Sequence, residues 1–235
     1  MPDSLKLVHN YFDRNAADFA AIYDGRKPLY RRVMDAVFRR VVVERFAFVI
    51  NSIVAPGRTV LDVGCGPGHY GTELARRGAA LCEGVDVSTQ MIELARSRAT
   101  QTGVADHCKW KASDFLSLCT GEKFDIVLAM GYFDYIDNPL PHLHKMMAIA
   151  RQQVFASFPK RWTLRTLTRL LRFKLEGGYV RFYSRNDVTR VFKDAGYGDQ
   201  VSVISFGRDY IAICNVATTG CRADNGQSSF CKRPG

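Results

Sequence analysis

The stretch TVLDVGCGPG, residues 59–68, decides the fold that the sequence predicts. Its first half is apolar and β-branched, which favours a buried strand, and its second half is a glycine-rich loop. The residues that follow, 70–77, are typical of a helix that ends at Gly78. A strand, a glycine loop and a helix in this order form a nucleotide-binding unit, in which backbone amides face polar ligand groups.

A carboxylate, Asp62, stands two residues before the first glycine of this loop. It disfavours a diphosphate at this place, whereas it stabilises a cation or accepts a hydrogen bond from an ammonium group. The pattern G-x-G-x-x-G is present when counted from Gly66 but not from Gly64, where the sixth position is His69. The loop therefore favours a ligand with positive charge over a dinucleotide.

Short β-rich runs alternate with helical runs in the remainder of the chain. This alternation predicts an α/β fold with a doubly wound, mostly parallel, seven-stranded Rossmann-like sheet. The last two strands are separated only by residues 207–208 and are expected to form an antiparallel hairpin. Helices are also expected at 89–100, capped by Ser88, and after a capping box of Ser184 and Asp187. The predicted strands are TVLDVG (59–64), ALCEGVDV (80–87), CKWKASD (108–114), FDIVLAM (124–130), QQVFASF (152–158), QVSVISF (200–206) and YIAICNV (210–216).

The length of 235 residues fits one elaborated domain, expected over residues 1–217. Within it, residues 1–53 have the apolar spacing of a helical lid. Residues 58–217 are expected to be the Rossmann-like core, with a basic helical insertion near 160–178. Residues 218–235 have too little apolar content to fold and are expected to be a disordered tail.

The composition favours a cytoplasmic protein without a metal site. The first residues lack a secretory pattern, and no apolar run approaches the ~20 residues needed to cross a bilayer. The seven cysteines include no Cys-x-x-Cys pair and are expected to be reduced thiols. His142 and His144 are two residues apart, which would place them on different faces of a solvated helix start.

Residues 60–68 resemble the first motif of class I S-adenosylmethionine-dependent methyltransferases, which has the form VLDVGCGxG. In that family the first acid and the glycine loop hold the methionine portion of the cofactor. An acid at the end of the second strand holds the ribose hydroxyls, and an acid after the third strand contacts the adenine. The resemblance implies S-adenosylmethionine as the cofactor and methyl transfer to a small, possibly acidic molecule. The positions that it assigns to the cofactor are Asp62, Gly64, Cys65, Gly66, Gly68, Asp86, Val87, Met91, Asp114, Phe115 and Met130.

The segment after the fourth strand, residues 130–135, is expected to line the acceptor side of the site. In open α/β sheets, ligands bind beyond the carboxyl ends of the strands. If the acceptor is a hydroxyl, Asp134 and Tyr135 are the first candidates for a catalytic base. Each aromatic residue of the region has an alternative role in packing helices against the sheet. The candidate pocket residues are Tyr11 and Tyr23 in the lid, together with Tyr132 and Phe133.

A looser resemblance is to magnesium-protoporphyrin O-methyltransferases. It rests on a Tyr-Phe pair at 11–12, an Ile-Tyr pair at 22–23 and the ending SFPK of the fifth strand. The chain departs from that family at Asp134, where a histidine would precede the tyrosine.

The formal net charge of +10 is concentrated between Lys160 and Lys193. The segment 161–172 has arginines on one side and leucines between them, which predicts a basic amphipathic helix. Its partner would be an anionic membrane surface, an acidic ligand or RNA, and a merely solvated face is an equal alternative. Three other functions stay open: nucleic-acid methylation, a non-catalytic S-adenosylmethionine-binding adaptor, and a nicotinamide-dependent oxidoreductase. The segment AMGYFD after the fourth strand lacks the Pro-Pro-aromatic motif of base-methylating enzymes, which disfavours nucleic acid as the acceptor.

Overall fold

A seven-stranded sheet forms the centre of the chain in the computed structural model, which describes residues 42–161 and 180–216. The strands are β1 (Thr59–Val63), β2 (Leu81–Asp86), β3 (Cys108–Ala112), β4 (Phe124–Ala129), β5 (Ala150–Pro159), β6 (Val201–Phe206) and β7 (Asp209–Asn215). They lie in the order β3-β2-β1-β4-β5-β7-β6. The strands β1 to β5 pair in parallel, and β7 pairs antiparallel with β5 and β6. The predicted doubly wound, mostly parallel sheet is therefore confirmed.

Helices cover both faces of this sheet. Within the described ranges they are α1 (42–52), α2 (His69–Arg76), α3 (Thr89–Gln101), α4 (Pro139–Ile149) and α5 (Arg185–Asp194). The predicted caps are confirmed: Ser88 accepts a hydrogen bond from the Met91 amide, and Ser184 and Asp187 form a reciprocal capping box. None of the helices in these ranges is long and apolar enough to span a bilayer.

Alternate residues of the central strands contribute to two separate cores. Leu61 and Val127 face a core that includes α4 and α5, whereas Val60 and Leu128 face a core that includes α1, α2 and α3. This alternation follows from the two-residue period of a strand. Part of the segment predicted as a lid, residues 42–53, packs in the second core, where Val49, Ile50 and Ile53 are buried.

The predicted hairpin joins β6 and β7 through residues 207–208. Phe206 pairs with Asp209, so the loop contains only Gly207 and Arg208. Gly207 has φ 48°, in the left-handed region that a two-residue hairpin turn requires and that glycine adopts without strain.

The central pair β1 and β4 positions the site. The chain leaves β1 toward β2 on one side, and β5 lies beyond β4 on the other, so the order of the strands reverses between them. At such a reversal the loops after the two strands diverge and leave a crevice at the carboxyl edge of the sheet. The glycine loop follows β1 and residues 130–135 follow β4, so both segments border this crevice.

Candidate functional site

Asp62 lies near the carboxyl end of β1, beside the glycine loop. The residue is 2% exposed, and its Oδ2 atom has no hydrogen-bond partner among the described residues. The backbone amide of Gly71, in the first turn of α2, donates a hydrogen bond to the carboxyl group. Gly68 is the N-cap of α2 and supplies no side-chain cap. A buried carboxylate with one unsatisfied oxygen is costly, and this arrangement fits a ligand that brings a cation or a hydrogen-bond donor.

The environment of Asp62 changes its protonation. Burial raises its pKa to about 7; the Gly71 amide opposes this shift and the negative charge of Asp86 adds to it. The carboxyl group therefore changes charge near neutral pH in the ligand-free protein. A cationic ligand would favour its ionised form.

Asp86 lies at the carboxyl end of β2 and holds the glycine loop. Its Oδ2 atom accepts a hydrogen bond from the Gly66 amide at 2.9 Å, and its Oδ1 atom accepts one from the Ser88 amide at 2.9 Å. The carbonyl oxygen of Val85 accepts from the two loop amides before Gly66, at positions 64 and 65. A carboxylate oxygen can accept more than one hydrogen bond, so these two contacts do not by themselves prevent Asp86 from accepting from ligand hydroxyls.

Close packing explains why the glycine loop needs residues without a Cβ. A Cβ at Gly64 would lie 2.6 Å from Cδ2 of Tyr132, and the backbone there has φ +66°. The indole ring of Trp110 on β3 occupies a second such space, since Cβ atoms at Gly68, Gly71 and Gly84 would lie within 3.0 Å of it. The third glycine of the G-x-G-x-x-G pattern thus makes room for a tryptophan.

Tyr132, which follows β4, links the glycine loop to α4. Its hydroxyl lies 2.7 Å from Nδ1 of His142, and its ring packs edge-on against Phe115 and Phe133. Burial lowers the pKa of His142 to about 4 and raises the pKa of Tyr132 well above its usual value. Both groups are therefore neutral at pH 7, and the hydroxyl can donate to the imidazole. The expectation of a solvated helix start was wrong for His142, which is 7% exposed, because α4 turns this residue toward the core while His144 stays exposed.

The segment after β3 contains the third predicted acid. Asp114 is half-buried, and its Oδ2 atom accepts hydrogen bonds from the amide and the hydroxyl of Ser117. Phe115 is 2% exposed and packs in the core that contains α4. Met91 on α3 is 1% exposed, which agrees with the ordinary core role of a helical methionine. Whether these residues contact adenine stays a prediction.

The remaining candidates after β4 differ in their surroundings. Phe133 is fully buried and stacks on Phe158 with ring centroids 4.7 Å apart, so its contacts are with the core. Asp134 is 7% exposed, and its backbone carbonyl accepts a hydrogen bond from the Arg181 amide. Tyr135 is half-buried.

A buried ion pair lies close to this segment. Nη1 of Arg45, on α1, is 2.8 Å from Oδ2 of Asp209 on β7, and the two side chains are 13% and 5% exposed. The charge of Asp134 also acts on Arg45, and the Arg45 guanidinium lies 3.8 Å from the position of a Cβ on Gly131. Opposite charges are therefore brought together at the predicted acceptor side of the crevice.

Several predicted positions lie outside the described residues. These are Tyr11 and Tyr23, almost all of the predicted basic helix 161–172, and the tail. Conversely, four residues make contacts that the sequence did not indicate, because each lies in a segment with the pattern of an ordinary strand or helix. They are Arg45, Trp110, His142 and Lys145.

This fold, with a glycine loop after β1, is similar to that of known methyltransferases. Residues 60–153 match the family model described as a methyltransferase domain. A ubiquinone biosynthesis O-methyltransferase of Actinobacillus pleuropneumoniae serotype 5b is 33% identical over 99 residues, which are 40% of this chain and 42% of that protein. A ubiquinone biosynthesis O-methyltransferase of Neisseria meningitidis serogroup C is 38% identical over 85 residues, 35% of each protein. The matches thus span less than half the length of these curated relatives.

Among solved structures, the magnesium protoporphyrin IX methyltransferase of Synechocystis PCC 6803 with bound SAH is similar over 91% of this chain and 99% of that one. The TM-score is 0.71 and the sequence identity is 21%. An S-adenosylhomocysteine complex of a SAM-dependent methyltransferase from Thiobacillus denitrificans matches 69% of this chain and 65% of its own, with a TM-score of 0.55 and 20% identity. These likenesses show a shared fold.

Proposed function

We propose that this protein transfers the methyl group of S-adenosylmethionine to an oxygen atom of a small molecule. The observation that carries the proposal is Asp62, a buried carboxylate with one unsatisfied oxygen beside a glycine loop. A ligand with a sulfonium and an ammonium group fits this place, whereas a diphosphate does not. The relatives named as ubiquinone biosynthesis O-methyltransferases support oxygen as the acceptor atom and a small molecule as the substrate.

In this proposal three acids divide the cofactor between them. Asp62 faces the ammonium of the methionine portion, Asp86 accepts hydrogen bonds from the ribose hydroxyls, and Asp114 faces the adenine. The glycine loop contributes close backbone contact, and the remaining predicted cofactor positions contribute apolar or backbone surface. Those remaining positions are Gly64, Cys65, Gly66, Gly68, Val87, Met91, Phe115 and Met130.

The bound cofactor supplies an activated methyl group, so the protein chiefly aligns the acceptor and excludes water. Met130 and Tyr132 border the crevice from β4 and are proposed to line the acceptor side. Asp134 and Tyr135 are the proposed candidate bases for an acceptor hydroxyl. Asp134 is buried and interacts with the charge of Arg45. Phe133 packs on Phe158 in the core and on the Tyr132 ring, and its place in the acceptor pocket stays a prediction.

The proposal names the acceptor as a small hydroxylated molecule. The likeness to the magnesium protoporphyrin methyltransferase concerns the fold alone, and the sequence departs from that family at Asp134. Binding of an acidic ligand or an anionic surface at residues 161–172 stays a prediction. The assignment of residues 1–53 to a lid and of residues 218–235 to a tail also stays a prediction.

The test is thermal unfolding of the purified protein with S-adenosylmethionine, S-adenosylhomocysteine, NAD or NADP. A ligand that binds only the folded state increases the free energy of unfolding, by about 2.7 kcal/mol at a hundredfold excess over Kd. The increase is measured as a rise in Tm. We expect a rise with the two adenosyl ligands only. The rise should be lost in Asp86→Ala and kept in Asp106→Ala, which removes an exposed acid away from the crevice.

Folded protein that responds to neither adenosyl ligand would contradict the cofactor assignment, and a response to NAD would revive the oxidoreductase. With the cofactor established, labelled methyl donor is offered with hydroxylated small molecules and separately with RNA. Transfer only to RNA would overturn the acceptor class. Binding without transfer to any acceptor of a cell extract would favour the adaptor.

A further inference from the structure

Lys145 on α4 binds the chain segment that follows β3. Its ammonium nitrogen, Nζ, lies 2.6 Å from the carbonyl oxygen of Phe115, 2.9 Å from that of Leu116 and 2.6 Å from that of Leu118. It also lies 5.0 Å from the centroid of the Phe115 ring. An ammonium group has three donors, and three carbonyl oxygens converge on this one.

The segment that Lys145 binds has little regular structure of its own. Residues 113–123 connect β3 to β4 without a helix or a strand. The internal hydrogen bonds of the turn at 114–118 include those from Ser117 to Asp114 and one from the Leu118 amide to the Phe115 carbonyl. Without the lysine, the carbonyls of Leu116 and Leu118 would lose a charged hydrogen-bond donor, so Lys145 favours this orientation of the turn.

This turn contains Asp114, the acid that the proposal assigns to the adenine, and Phe115, another predicted cofactor position. Asp114 begins it and Phe115 supplies one of the three carbonyls. Asp114 and Lys145 both act on the charge of His142, which places the lysine, the acid and the Tyr132–His142 pair in one cluster. A shift of the turn would move Asp114 relative to Asp86 and to the glycine loop.

We infer that Lys145 is a positioning residue for the adenine end of the cofactor site, acting through the three carbonyls of residues 115, 116 and 118. This inference rests on the proposed S-adenosylmethionine site. Lys145 lies on α4, and none of the predicted cofactor positions is on that helix. Arginine is not an equivalent, because no single nitrogen of its planar guanidinium carries three hydrogens that can be donated to three surrounding oxygens.

The experiment measures Kd by calorimetry for two ligands, S-adenosylhomocysteine and 5′-methylthioadenosine, which has the adenosine but no amino acid portion. Lys145→Met should weaken both ligands by the same factor, about tenfold or more, because charge-assisted hydrogen bonds that orient the turn are lost. Lys145→Arg should weaken both as well. Asp62→Asn should weaken S-adenosylhomocysteine and leave 5′-methylthioadenosine unchanged, which separates the two ends of the site. Lys109→Met, which removes an exposed lysine of β3, is the matched control and should change neither Kd.

A merely structural lysine would give a different pattern. In that case Lys145→Met lowers Tm while both Kd values stay at the wild-type level, and the inference is overturned. If Lys145→Met does not fold, the Lys145→Arg variant decides, since unchanged affinity for both ligands there also overturns it. Failure of the proposed function is distinguishable, because the wild-type protein would then bind neither ligand.

Discussion

At the scale of single residues, Asp62 combines a cost in stability with a proposed role in binding. Its pKa of about 7 in the folded protein is higher than the ordinary value of 3.8. A raised pKa means that the folded state holds the proton more tightly than the unfolded state. The stabilisation from this group is therefore complete below pH 3.8 and is lost as the pH rises through about 7.

Asp62→Asn should therefore stabilise the ligand-free protein at pH 8, by about 1 kcal/mol or more, because the buried charge is removed. The same change should abolish the rise in Tm with S-adenosylmethionine. In the wild-type protein, Kd for this cation should increase up to tenfold for each pH unit below about 7. Urea unfolding and calorimetry between pH 5.5 and pH 8.5, a window set around that pKa, provide the measurements. A pH-independent Kd in the wild type, or equal pH dependence in the variant, would count against this role.

Gly64 has a backbone conformation that favours glycine, and the Tyr132 ring leaves no space for a Cβ there. Gly64→Ala should lower stability by about 1–2 kcal/mol, because alanine is strained at positive φ. It should also weaken S-adenosylhomocysteine binding. The added Cβ would lie 2.6 Å from Cδ2 of Tyr132 and would displace that ring. Calorimetry and urea unfolding measure the two effects separately.

Gly103→Ala is the matched control for this change. Gly103 has φ +71°, and no atom lies within 4 Å of the place that a Cβ would take, so alanine there carries the backbone strain without the clash. We expect a similar loss of stability with an unchanged Kd. Equal Kd values for both variants and the wild type would mean that the Tyr132 contact has no part in binding.

At the scale of elements, the start of α5 depends on its capping box. Ser184 accepts a hydrogen bond from the Asp187 amide, while the Asp187 carboxylate accepts from the Ser184 amide and hydroxyl. These contacts with Ser184 lower the pKa of Asp187. Ser184→Ala should cost about 1 kcal/mol of unfolding free energy, measured in urea, without a change in cofactor affinity. Ser97→Ala, inside α3, should cost nothing, because alanine favours a helix interior; an equal loss in both variants would argue against the cap.

The elements around the glycine loop were the most predictable part of the chain. The run 59–64 and the glycines after it contain the local chemistry of a strand and a turn, and β1 and α2 form as expected. The hairpin of β6 and β7 was predictable because a two-residue loop with glycine permits few geometries. The irregular connection 113–123 was not predictable, because it owes its shape to Lys145, which is 30 positions beyond Phe115 in the chain.

At the scale of the whole molecule, the pair of Arg45 and Asp209 joins the first described helix to the last strand, 164 positions apart. Asp209→Asn would leave a buried guanidinium without its closest counter-charge. We expect a loss of about 3 kcal/mol in urea unfolding. The control is Glu83→Gln, which removes a more exposed partner 3.8 Å from Lys109 and should cost less than about 1 kcal/mol. A loss of the same small size for Asp209→Asn would show that the buried pair contributes no more than a surface pair.

The sequence by itself determined the order of the strands and helices along the chain, the class of the sheet and the place of the glycine loop. These depend on local periodicity, on glycine at positions of positive φ and on acids at strand ends, all of which are written in neighbouring residues. Only the tertiary structure decided that His142 is buried against Tyr132, that Trp110 fills the space left by three glycines, and that Lys145 orients the turn at 114–118. The physical reason is that these contacts join distant segments, where burial and charge depend on what packs opposite a residue and not on its neighbours in the chain.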